Sequence, residues 1–144
     1  MANWVLYDNF RKGSIAGNAC NLAAAGDTVK CALITSAVAP STASDTTFSG
    51  AGYTEVSGTN YTAGGLTVST GQSVTLAGGT VTWLTSTAFL WSQSGAGFSN
   101  ARYAVLYDST NGRLIAYADL GSNVGNVAGD LSFTGPATSI FTSP

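Results

Sequence analysis

The 144-residue sequence contains no histidine and only two cysteines. Without histidine, a Ser-His-Asp or Cys-His nucleophile cannot be assembled within this chain. With no histidine and no Cys-x-x-Cys, the ligands of a zinc site are missing too. Cys20 and Cys31 are read as two small buried thiols, since a lone pair makes no disulfide framework. Charge is equally scarce. Asp, Glu, Lys and Arg make up 8% of residues, against roughly 25% in ordinary soluble domains. Five basic and seven acidic residues leave a net charge of −2, and Arg11-Lys12 is the only adjacent basic pair. Nucleic-acid binding needs a basic stripe to release counterions, so no nucleic-acid partner is expected. There is no apolar run long enough to span a membrane, so no membrane partner is expected. The N-terminus has neither the basic start nor the apolar core of a signal peptide.

Small residues take the place of charge. Seventeen serines, nineteen threonines and eighteen glycines accompany a hydrophobic content of 44%, which is enough for a buried core in one domain of this length. Such a surface is weakly hydrated and suits strand-rich folds and repeated contact with other protein surfaces. Freely diffusing cytoplasmic enzymes carry more charge, so the composition points to work inside an assembly, though secreted β-proteins share it.

Alternation of apolar and hydroxyl residues recurs along the chain. The cleanest hairpin is Ala101–Leu120. There Ala101–Tyr107 and Arg113–Leu120 read as two strands around Asp108-Ser109-Thr110-Asn111-Gly112, a turn in which Asn-Gly supplies positive-φ positions. Asp108 reads as a turn residue whose carboxylate accepts from nearby backbone N–H groups. Further strands are predicted over Asp27–Thr35, Leu66–Ser69, Ser73–Leu76, Thr80–Leu84, Ala88–Trp91 and Asp130–Thr134, with Tyr53–Val56 a short strand or bend. Leu66–Leu84 has the pattern of a meander punctuated by Gly71 and Gly78-Gly79. Gly121–Gly129 reads as a loop. About eight short strands in one domain, residues 1–144, predict an all-β fold, an antiparallel β-sandwich or jelly-roll-like barrel. Residues 1–17 form either a short helix capped by Asp8 and stopped near Gly17, or an extended arm.

The chemistry-bearing motifs are thin. Gly50-Ala51-Gly52 and Gly95-Ala96-Gly97 lack the third glycine and the helix of a dinucleotide site and read as turns. The aspartates are scattered, and nothing in their spacing favours a paired-carboxylate hydrolase. No catalytic residue, metal ligand or cofactor is predicted. The aromatics allow two readings. Trp83, Phe89 and Trp91 lie in strands and are expected in the core, while stacking on sugar rings keeps a glycan-binding module open. Trp4, Tyr7 and Phe10 near the terminus, with Tyr61 in a Gly-rich connection, are the candidate interface residues. For the three terminal aromatics, the alternative to anchoring a neighbour is docking onto their own domain.

Two blocks resemble small structural proteins of tailed bacteriophages. Gly58-Thr59-Asn60-Tyr61-Thr62-Ala63-Gly64-Gly65-Leu66 is similar to a G-T-x-Y-T-x-G-G stretch of those proteins. Ala101–Tyr107, with its turn and Leu114-Ile115-Ala116, is similar to their second block. Relatives tend to carry more charge and often Asp or Phe after the second hairpin strand, where Asp119-Leu120-Gly121 stands here. The resemblance implies a capsid decoration, or cement, protein. It implies a sandwich or jelly-roll body, the major capsid protein and further copies of itself as partners, often as a homotrimer, and a place on the virion surface. A tail or fibre component of the same kind of particle is the alternative.

Overall fold

The computed structural model describes residues 4–16, 20–22, 26–68, 73–84, 88–135 and 139–142. The fold is all-β with antiparallel pairing throughout and one short helix, α1, at Asp8–Ala16. The strands in chain order are β1 Trp4–Leu6, β2 Val29–Ile34, β3 Leu66–Val68, β4 Ser73–Ala77, β5 Thr80–Leu84, β6 Ala88–Trp91, β7 Ala101–Asp108, β8 Leu114–Val124, β9 Leu131–Thr134 and β10 Ser139–Thr142. They pair into a five-stranded sheet of order β1-β8-β7-β2-β3, a three-stranded sheet β10-β5-β4, and the ribbon β6-β9.

The β7–β8 hairpin forms as expected from the sequence, and it lies in the middle of the large sheet. Its turn differs from the prediction in detail. Gly112 takes a positive φ of 81° but Asn111 does not. Instead the Asn111 side-chain amide donates to the Asp108 carboxylate at 3.1 Å, and the Thr110 N–H donates to it at 2.8 Å. β8 also runs on through Val124, across what reads as loop. Gly121, at φ 83°, and a bulge opposite Ala101–Tyr103 absorb the register change and let pairing continue to Ala101↔Val124.

The meander expected over Leu66–Leu84 is not formed. β3 pairs with β2, whereas β4 and β5 form a hairpin of their own beside β10. Alternation determines which side chains share a face, but not which strand lies alongside. Tyr53–Val56 contributes only an isolated bridge, Glu55 to Ile34.

Both faces of the large sheet are covered at its centre, which is why Cys31, Ala32, Leu33 and Ile34 are all buried rather than alternating. Cross-strand register places Trp4, Ala118, Ala104 and Leu33 on one side. There Trp4 meets Phe89 and Phe133 of the β6–β9 ribbon at ring separations of 6.4 and 6.2 Å. Tyr117, Val105 and Ala32 share the opposite side, where Tyr117 meets Tyr7 at 5.7 Å and Tyr107 stacks on Phe48 at 4.3 Å. Phe89 and Trp91 are core residues as expected. The Trp83 side chain lies outside the described residues.

Candidate interface

The four predicted contact residues are used inside the fold. Tyr7 is 0% exposed and Phe10 7%, so the free aromatic arm is corrected to docking on the chain's own domain. The reason is local. The Tyr7 carbonyl accepts from the N–H groups of Phe10 and Arg11, so Tyr7, not Asp8, caps α1, and the helix turns Phe10 back onto the core. The Tyr7 hydroxyl lies 2.8 Å from that of Tyr53, which donates to Asp45 at 2.6 Å. Asp45 also accepts from the Ser41 N–H at 2.8 Å. Burial pushes both phenols up, and the Asp45 hydrogen bond pushes Tyr53 up further, so both act as neutral donors. Trp4 is half-buried and donates its indole N–H to the Thr134 carbonyl at 3.1 Å, tying β1 to β9. Tyr61 is half-buried. Its hydroxyl accepts from the Leu33 N–H at 3.0 Å and donates to Glu55, while its ring meets Trp91 and Phe98.

A second cluster surrounds Asp108. Burial raises its carboxyl, and a hydrogen bond with Asp27 raises it further, while the same bond lowers Asp27. Cys20 stands beside Asp108. Burial, and then that carboxyl, push its thiol up to about 12. Cys20 and Cys31 are both free thiols. Among the described residues no group of His, Cys, Asp and Glu side chains is arranged to hold a metal. No described helix is long and apolar enough to cross a membrane.

Two features face outward. The first is a groove of about 470 Å³ between the C-terminal half of β8 and β9, lined by Leu120, Val124, Leu131 and Phe133. At its rim Arg102 clamps Asp119 with two bonds of 2.9 and 3.0 Å, which lowers that carboxyl. The second is the edge of the three-stranded sheet. β4 is one of its two outer strands, and residues 74–77 are all exposed, with Val74 at 48% and Leu76 at 73%. A single exposed apolar residue is ordinary, but Val74 and Leu76 share one face of an edge that is unpaired among the described residues.

No aromatic residue marks this edge. The signal was in the charges: no Asp, Glu, Lys or Arg occurs from Val56 to Ala101, a stretch that includes β3, β4, β5 and β6. Compared with family models, curated proteins and solved structures, the chain matches none.

Proposed function

We propose that the chain is a non-enzymatic structural protein of a bacteriophage virion, a decoration protein that binds the outside of the head and stabilises it. The observation that carries this reading is the β4 edge of the β10-β5-β4 sheet, which is uncharged, exposes Val74 and Leu76 and has no partner on its outer side among the described residues. A freely diffusing protein guards such an edge with lysine, proline or a bulge, whereas an assembly subunit uses it. The resemblance of the Gly58–Leu66 and Ala101–Ala116 stretches to phage structural proteins supplies the particle.

The mechanism is mechanical. Copies bridge neighbouring major capsid protein subunits, each contact buries modest area, and the number of contacts makes attachment durable. The contact proposed here between copies is the β4 edge, in place of the terminal aromatics.

Immunogold labelling of intact particles with an antibody to this chain tests the reading. Dense label over the head supports it. Label confined to the tail replaces it with a tail or fibre role, and unlabelled particles overturn the virion assignment.

A further inference from the structure

We infer that β4 pairs with β4 of a second copy of this chain, antiparallel about a two-fold axis through Thr75. The inference rests on the reading of this sheet as an assembly surface and names its partner.

The geometry of the hairpin selects the register. β4 and β5 are joined by Gly78-Gly79, both at positive φ (55° and 79°), a two-residue type I′ turn flanked by the pair Ala77↔Thr80. In such a hairpin the flanking pair exchanges backbone hydrogen bonds, and bonded and non-bonded pairs then alternate along the ladder. Ser73, Thr75 and Ala77 therefore bond inward to β5. The N–H and C=O groups of Val74 and Leu76 point away from β5, towards the open edge.

A second β4 laid antiparallel about Thr75 brings Val74 opposite Leu76 and Leu76 opposite Val74. Both are positions with outward backbone groups, so both pairs are hydrogen-bonded ones. Their side chains lie on one face, since i and i+2 share a side of a strand. Four exposed apolar side chains thus become one stripe across the two-fold axis, and Thr75 meets Thr75. A second copy brings no like-charge penalty, because neither β4 carries a charge, and it sets each exposed apolar side chain opposite another.

The contact is small. Five residues a side fall short of the roughly 800 Å² per partner of a stable dimer. Two free copies therefore associate weakly, and the pairing strengthens where many copies are held side by side. A two-fold contact joins two copies and cannot close a trimer, so it acts between neighbouring oligomers if the chain also trimerises.

Sedimentation velocity of the purified chain from about 10 μM to about 1 mM tests this, in the range where a weak contact responds to mass action. The mean mass is expected to rise with concentration towards twice 14.5 kDa. Val74→Lys and Leu76→Lys change exposed side chains, and circular dichroism checks that each variant folds. Each is expected to weaken association at least about tenfold. The double variant Val74→Lys with Leu76→Glu sets opposite charges across the axis twice and is expected to recover association. A chain that stays monomeric throughout, or an oligomer that neither lysine substitution weakens, overturns the inference. Labelling of particles reads the virion role separately, so either proposal can fail while the other stands.

Discussion

The Tyr107 hydroxyl donates to the Gly64 carbonyl at 2.8 Å, and this bond joins the Gly58–Leu66 connection to the β7–β8 hairpin. Gly64 and Gly65 take positive φ values of 90° and 84°. The Gly64 N–H donates to Glu55 at 2.6 Å, and a side chain on Gly65 would overlap the Cys31 carbonyl. The paired glycines therefore let the Gly58–Leu66 connection lie directly against β2, where Tyr61 reaches the Leu33 backbone. Gly65 serves close packing against β2.

Gly65→Ala is accordingly expected to cost at least about 2 kcal/mol, from backbone strain and overlap with β2. Gly129→Ala, where an added Cβ meets nothing within 4 Å, is expected to be near neutral. Urea unfolding midpoints compare the two. Equal midpoints would show that Gly65 is not a packing glycine.

Phe10→Ala empties a site in the core and is expected to cost about 3–5 kcal/mol, read as a lower thermal midpoint. A surface anchor would lose attachment while leaving stability unchanged. A variant as stable as the parent would return Phe10 to the surface.

Asp108→Ala removes the acceptor of the Thr110 N–H and the Asn111 amide, and is expected to cost about 1–3 kcal/mol. The pH dependence of this site has a definite sign. A carboxyl raised in the fold holds its proton more tightly than in the unfolded chain. Its contribution is present below 3.8 and is lost as pH rises through the raised value of Asp108. Asp27, lowered in the fold, contributes above 3.8 and loses that contribution as pH falls through its own lowered value. Asp108→Asn is expected to flatten the decline on the side above pH 3.8. Unfolding midpoints across this range check it, and an unchanged decline would remove Asp108 as the cause.

Both thiols are expected to resist alkylation in the native chain. Cys31 is 0% exposed, and burial raises its thiol. Cys20 is raised to about 12, so almost none is thiolate near pH 8. Iodoacetamide labelling followed by mass spectrometry should show slow modification of both, accelerating in denaturant. Rapid native labelling at Cys20 would show that its pocket opens.

What the sequence determined by itself was local. Serine, threonine and glycine alternating with apolar residues specify strands. The stretch Asp108–Gly112 specifies a turn, and Asp108 bonds its backbone as read. These follow from neighbours a few residues apart, whose geometry is the same in any fold. Which strand lies beside which was decided only by tertiary structure. β3 leaves β4 for β2, β8 extends past Gly121 along β7, and the aromatics at Trp4, Tyr7 and Phe10 turn inward. Each depends on partners tens of residues away: Trp4 on Thr134, Tyr7 on Tyr53, Val29 on Val68. Aromatic residues fill a core and an interface by the same burial of apolar area, so composition alone could not separate the two uses. The β4 edge is likewise a property of pairing: it is one of several sheet edges among the described residues, and the one that carries both Val74 and Leu76 exposed.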